Sequence, residues 1–232
     1  ASGIARNDGL VSVFDRYFED IKAVTLDYKA AERTAKFPWL EFVPSYILAA
    51  TPEAKSKLEK EIEAGLFKER SGYLVYEDRQ RSGIYAARPV RENTLEVFVM
   101  SQCPFGVKAL NAMEEVLKNF DKKIDFKVNF IGGGDAKSGL TGMHGQAEVD
   151  ENIREICAIK HYPKDYKWME YVLCRNKDIR STKWEECAKG DIKADVIKKC
   201  FEGDEGKQLL EASYKFSQGL GFGASRTWLA NN

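Results

Sequence analysis

The sequence predicts an α/β protein in two parts, residues 1–92 and 93–232, the second built on a β-α-β unit that carries a helical insertion over about 135–220. Three observations lead there. "TLEVFVM" (94–100) is a short apolar run rich in β-branched and aromatic residues, the pattern of a buried strand. It passes through "SQCP" into a segment where Val107, Leu110, Met113 and Leu117 recur at helical spacing, and "KIDFKVNFI" follows as a second strand. That order implies parallel pairing through a right-handed crossover. From Glu148 to about Leu220 helical periodicity dominates.

In the first part Phe14, Phe18, Ile21 and Val24 stand at helical spacing and predict one helix from about Val11 to Ala35. "FPWLEFVPSYILAA" (37–50) reads as a strand carrying Pro44. "TPEAKSKLEKEIEAGLF" (51–67) reads as a helix with Thr51 as N-cap, Pro52 at the first helical position, and Leu58, Ile62 and Leu66 four apart. "YLVY" and "GIYAA" are short strands, and the polar connector "RPVREN" places the boundary near Asn93. In the second part "GGGDAKSGLTGMHG" (132–145) breaks all periodicity and reads as a flexible loop, because no Lys-Ser/Thr step follows at the spacing of a phosphate-binding loop. The later helices are interrupted near "HYPKDY", "RNKDIRST" and "EGDEG", and "RTWLA" closes as a strand. Tyr166, Trp168 and Tyr171 fall amid core-like periodicity and are expected to pack these helices.

Lys plus Arg and Asp plus Glu both total 36, a formal net charge of +0. Such a chain has no long-range field with which to gather phosphate backbones or an anionic membrane, so no nucleic-acid partner is expected. No apolar run approaches the roughly 18 residues of a membrane span. The start "ASGIARNDGL" lacks the charged and apolar regions of a signal peptide, as a chain already cleaved would. The cysteines are Cys103, Cys157, Cys174, Cys187 and Cys200. An even group plus one suggests two disulfides and a free thiol, and hence a periplasmic or secreted location; five buried, reduced cysteines are the alternative. The four disulfide candidates Cys157, Cys174, Cys187 and Cys200 allow three pairings, and the sequence does not choose among them. No spacing is Cys-x2-Cys, so neither zinc nor another metal or cofactor is expected.

Cys103 stands where a strand turns into a helix. A helix N-terminus favours a thiolate through its unpaired amides and dipole, and Pro104 suits the first turn because its missing N–H would be unpaired there anyway. Ser101 is a candidate cap of the same turn. A structural cysteine that merely follows a strand is the bland alternative. Gly106 occupies the position three residues on, where a second thiol would resolve a mixed disulfide internally; with glycine there, release needs an outside thiol.

These motifs resemble the gamma-interferon-inducible lysosomal thiol reductases and related bacterial thioredoxin-fold proteins, from about Leu95 to the end. "CPFG" takes the place of the family's Cys-x-x-Cys or Cys-x-x-Ser site. "HGQAEVDENIREIC" is similar to the family signature at His144, Gly145, Glu148, Asn152 and Cys157, and "KKCFEGDEG" to its later step at Cys200, Gly203, Asp204 and Gly206. The resemblance implies a thioredoxin-like fold with a helical insertion and exchange chemistry on protein thiols or disulfides. It makes Cys103, Pro104, Gly106 and Arg226 the candidate catalytic residues, with His144 as a supporting proton acceptor or as a loop histidine satisfied by backbone. His161, at a helix end, is assigned no catalysis.

The departures fall on the chemistry. Gly142 and Val149 stand where the family has cysteines, so one of its disulfides is missing. Arg226 stands where thioredoxin folds carry a cis-proline, so the Ser225–Arg226 bond is expected to be trans and the groove to differ; a guanidinium there would also favour the Cys103 thiolate. The fold's last hairpin strand and helix would follow Asn232, so either the sequence is truncated or another segment fills that edge. Residues 1–92 are a candidate, as a degenerate thioredoxin-like unit entered at Val43-Pro44, with an unrelated α/β cap as the other reading. Two functions follow: a thiol-disulfide oxidoreductase with one active thiol, or a non-catalytic thioredoxin-fold binding or scaffold subunit of a larger extracytoplasmic assembly. Metal or cluster binding by Cys103 with an external thiol is a third, for which no other residue argues.

Overall fold

The computed structural model describes residues 4, 6–18, 21–79, 82–119 and 123–231. They fall into two units, Ala1–Val90 and Arg91–Asn231. In the first, the Asn7 side chain accepts the Leu10 N–H at 3.2 Å and starts helix α1 (Asp8–Tyr17); α2 spans Ala31–Lys36. The single helix expected over Val11–Ala35 is therefore two, and residues 19–20 of it lie outside the described ones. The reason is packing. Phe14 and Phe18 pack against the cluster that holds Phe67 and Leu58, whereas Val24 is 78% exposed, and a helical stripe with nothing to cover it contributes little.

Strands β1 (Phe42–Val43) and β2 (Ser45–Ala49) flank Pro44, and the Val43–Pro44 bond is cis. The Thr51 hydroxyl accepts the Ala54 N–H at 3.1 Å and caps α3 (Pro52–Lys57), as its sequence suggests. A non-helical Leu58 separates α3 from α4 (Glu59–Glu63), and Leu66 is exposed instead of joining the core. β3 (Lys68–Arg70), β4 (Tyr73–Glu77) and β5 (Ile84–Tyr85) complete the unit. β2, β4 and β3 form an antiparallel sheet in that order, and β1 pairs antiparallel with β5. With α3 and α4 between β2 and its partners, the degenerate thioredoxin-like reading of this unit rests on the proline-to-strand step alone.

The second unit is an α/β fold of thioredoxin-like topology. β6 (Thr94–Val99) runs into α5 (Pro104–Asn119), and β7 (Asp125–Phe130) returns parallel to β6 in register from Thr94↔Asp125 to Val99↔Phe130. β10 (Thr227–Ala230) lies antiparallel on the other side of β6, so the sheet order is β10-β6-β7. Between β7 and β10 come the hairpin strands β8 (Gly133–Asp135) and β9 (Gly139–Thr141), then α6 (Gln146–His161), α7 (Trp168–Arg175), α8 (Ala194–Glu202) and α9 (Asp204–Gly219).

The glycine-rich stretch is thus partly a hairpin and not all loop. The Asp135 carboxylate accepts the Lys137 and Ser138 N–H groups, each at 2.9 Å, and ties its turn. One continuous core joins Val97 and Val99, the buried face of α5 (Ala109, Leu110, Met113) and the inserted helices through Ile153, Tyr171, Ile197 and Leu210. Trp168 stacks on Phe126 at 6.2 Å between ring centroids, so the aromatic residues of the insertion do pack its interior. Cys157 bonds Cys200, and Cys174 bonds Cys187. Among the described residues no helix is long and apolar enough to cross a membrane.

Candidate functional site

The site begins with the turn that joins β6 to α5. The Cys103 N–H donates to the Met100 carbonyl at 3.1 Å, and the Cys103 carbonyl accepts the Val107 N–H at 3.1 Å, the bond that opens the helix. Pro104 occupies the first helical position, where its lack of an N–H costs no hydrogen bond. Cys103 is the free cysteine of the chain, and it keeps only 8% of its surface exposed. Its neighbour Phe105 is 55% exposed and forms the outer side of the turn.

Side chains from two distant segments hold this turn in place. The Asn152 carbonyl oxygen on α6 accepts the Ser101 N–H at 3.1 Å, and the Asn152 amide donates to the Tyr214 hydroxyl on α9 at 3.0 Å. The Ser101 hydroxyl donates to the Glu148 backbone carbonyl at 3.3 Å, so it anchors the turn to α6 and does not cap α5. Burial, ahead of the Asn152 hydrogen bond that opposes it, pushes the Tyr214 phenol up to about 12, and it remains protonated at neutral pH. Ser225, in the loop before β10, accepts the Met100 N–H through its hydroxyl at 2.8 Å. Ser101, Asn152 and Tyr214 are all buried, so the bonds among Ser101, Glu148, Asn152 and Tyr214 are shielded from competing water.

Gly106 closes the first turn of α5 under the same loop. A Cβ there would lie 2.9 Å from the Met100 carbonyl oxygen, 3.0 Å from the Ser225 hydroxyl and 3.2 Å from Val99 Cβ. No side chain enters that space without movement of backbone. Gly106→Cys is accordingly expected to destabilise the protein by about 1–3 kcal/mol, the usual cost of overpacking. It should not form an internal disulfide with Cys103 in appreciable yield; urea unfolding together with thiol counting checks both, and a stable variant with a closed 103–106 disulfide would refute the crowding argument.

Arg226 comes to the turn from the other side. Its N–H donates to the Phe98 carbonyl at 2.9 Å, extending the β10–β6 ladder, and its backbone adopts the left-handed region at φ 70°. Its guanidinium carbon lies 5.3 Å from the centre of the Phe105 ring. The Ser225–Arg226 bond is trans; among the described residues Val43–Pro44 is the cis bond. His144 does not reach Cys103 by any hydrogen bond among the described residues. Its Nδ1 pairs with Glu148 Oε2 at 2.5 Å, and its N–H donates to Glu148 Oε1 at 3.3 Å. The fully buried Glu148 is satisfied by this histidine, so His144 supports the loop that leads into α6. Gly142 and Val149 remain neighbours: a Cβ at Gly142 would lie 3.3 Å from Val149 Cγ2, although it would also crowd Glu148 Oε1 at 2.8 Å.

Of the residues the sequence singles out, Cys103, Pro104 and Gly106 share one turn, and Arg226, from the loop before β10, lies over Phe105 beside it. Sequence reasoning quotes Glu148 and Asn152 only as signature residues and does not foresee that they, with Tyr214 and Ser225, hold Met100 and Ser101. The signature itself was the available signal for the first two; Ser225 had only its place beside Arg226. The four other cysteines are consumed in disulfides. For metals, ligand atoms of His161, Cys200 and Glu205 lie within 4.8 Å of one another, but Cys200 Sγ is bonded to Cys157 and offers no thiolate.

Similar chains were found among solved structures. The oxidised form of a DsbA1 mutant is 9% identical, with 62% of this chain and 77% of that one covered at a TM-score of 0.44. A proposed protein disulfide isomerase from Nitrosomonas europaea is 10% identical, with 61% and 91% covered at 0.44. Another from Pseudomonas syringae is 16% identical, with 59% and 80% covered at 0.39. No curated protein matches the chain. Residues 94–191, which carry β6, the Cys103 turn, α5, the His144–Glu148 pair and Asn152 but not Tyr214, Ser225 or Arg226, match the family model of the gamma interferon inducible lysosomal thiol reductases (GILT), the family that the sequence motifs resemble.

Proposed function

We propose that residues 93–232 act as a thiol-disulfide oxidoreductase in which Cys103 is the single nucleophile, its substrates being protein thiols or disulfides. The observation that carries this reading is a free thiol at the start of α5, held by buried hydrogen bonds, in a chain whose four other cysteines are paired. The thiolate attacks one sulfur of a substrate disulfide; a bond from Cys103 to that sulfur forms, the substrate S–S bond breaks, and the departing thiolate takes a proton from water. Gly106 provides no second thiol, so an external thiol attacks the mixed disulfide, restores the Cys103 thiolate and leaves joined to the substrate sulfur. Pro104 presets the helix start, and Arg226 lies over the ring of Phe105, two residues from Cys103. The two disulfides fit an oxidising, extracytoplasmic compartment.

Cys103→Ser tests the reading. The full chain is incubated with a small alkyl disulfide and the mixed disulfide is measured by mass spectrometry, while alkylation of the thiol is followed across pH. Exchange should fall to the background rate in the variant. The burial of Cys103 and the glycine at 106 favour a second reading, a docking module that keeps the fold without the chemistry. A wild-type protein that exchanges no faster than its Cys103→Ser variant would establish that reading instead.

A further inference from the structure

We propose that Arg226 makes the Cys103 site selective for anionic disulfides, substrates that carry a carboxylate close to the sulfur under attack; this rests on the exchange chemistry proposed above.

The placement of the residue is the first ground. Arg226 is fixed to β6 by its N–H bond to the Phe98 carbonyl, and the preceding Ser225 is fixed to Met100, so this loop is tied to the end of β6 from which the Cys103 turn starts. A non-glycine residue held at φ 70° is uncommon, and such residues persist where the surrounding structure over-determines them. The side chain is the second ground. Its guanidinium lies over the ring of Phe105, two residues from Cys103. A ring face offers a guanidinium no hydrogen-bond acceptor of the carboxylate kind, so this contact does not occupy the N–H fork that matches a carboxylate.

The third ground is that this fork is open. Arg226 is exposed, and no carboxylate of the described residues of its own unit pairs with it. Other exposed cations of the unit, such as Lys108, share this lack of a partner; what sets Arg226 apart is its place over the Phe105 ring. The chain as a whole has no net charge with which to attract anions from a distance. Any preference for an anionic substrate must therefore arise locally, and the open guanidinium beside Phe105 is a cation placed to supply it.

The test uses two symmetrical alkyl disulfides of opposite charge, 3,3′-dithiodipropionate and cystamine, with the full chain. The rate of mixed-disulfide formation at Cys103 is measured for each, and the dithiodipropionate-to-cystamine ratio is compared among wild type, Arg226→Gln and Arg226→Lys. An exposed pairing of this kind is modest, so the ratio should fall roughly two- to five-fold in Arg226→Gln and be largely retained in Arg226→Lys. Raising the salt concentration should reduce the wild-type ratio and leave that of Arg226→Gln nearly flat. A merely structural role would slow both probes alike and leave the ratio unmoved. If both probes react and the ratio is the same in all three proteins, the selectivity is overturned while the exchange reading stands. If neither reacts at Cys103 in the wild type, both fall together.

Discussion

Replacing Arg175 by methionine is expected to cost about 3–5 kcal/mol of stability at neutral pH, the range for breaking a buried ion pair from one side. Arg175 on α7 is buried, and its Nε bonds Glu151 Oε1 on α6 at 2.8 Å while its Nη2 donates to the Ser181 carbonyl at 2.9 Å. The same Glu151 oxygen accepts the Tyr171 hydroxyl at 3.2 Å, and its other oxygen accepts Arg154 at 3.1 Å. One turn along α6, Glu155 is buried too, and its Oε2 has no hydrogen-bond partner. Burial first, then the charge of Glu151, raises the Glu155 carboxyl well above its ordinary value, and the charge of Arg175 opposes this. Without Arg175, two neighbouring carboxylates remain in the interior with less positive charge between them.

The sign of the pH dependence follows. A carboxyl whose folded pKa is raised binds its proton more tightly folded than unfolded. It therefore favours the folded state below the unfolded pKa, and that contribution is lost as pH rises from the ordinary carboxylate range toward the raised folded value. Removal of Arg175 should extend this window upward, so the cost should shrink when unfolding is measured at about pH 5 instead of neutral pH. Urea unfolding of both proteins at the two pH values checks it. An Arg175→Met variant as stable as wild type, or one with the same deficit at both pH values, would show that the pair is not what holds α7 to α6.

The part of this molecule that was legible in advance is the part governed by local rules. β6, the Cys103 turn and α5 could be read because an apolar run, a Cys-Pro step and a helical stripe each occur within a few residues. The cap at Thr51 is equally local. Errors arose where tertiary contacts decide. Ile21 and Val24 continue a helical stripe on paper, but nothing covers Val24, and α1 stops at Tyr17. The short strands β8 and β9 are mostly glycine and small polar residues, so they have no apolar alternation to reveal them. At the site, Cys103 could be placed but its burial could not. Nor could the bonds that hold the turn, since Ser225 and Asn152 lie more than a hundred and about fifty positions from Met100 and Ser101 and meet them only in the fold.

Disulfide pairing is a further case of information absent from the linear order, and it sets the second large expectation. Cys157→Ala/Cys200→Ala should cost about 4 kcal/mol through the regained entropy of the unfolded chain, since the bond joins positions 43 apart; Cys174→Ala/Cys187→Ala, closing 13, should cost about 3 kcal/mol. Packing widens the gap. Cys157 and Cys200 are both buried within the core cluster, so truncation there also leaves a void, whereas Cys174 and Cys187 are only half-buried at its margin. The consequence for the site differs as well. The Cys157–Cys200 bond ties α6 to α8 little more than one helical turn beyond Asn152, the residue that holds Ser101. Loosening that end of α6 should reduce exchange at Cys103 before the unit unfolds globally, and loss of the Cys174–Cys187 bond should not. Denaturant unfolding gives the order of the two costs, and exchange rates at denaturant concentrations below each transition give the coupling. If the shorter loop proves the more costly, or if exchange follows global unfolding in both variants, α6 is not the rigid support on which the Cys103 turn depends.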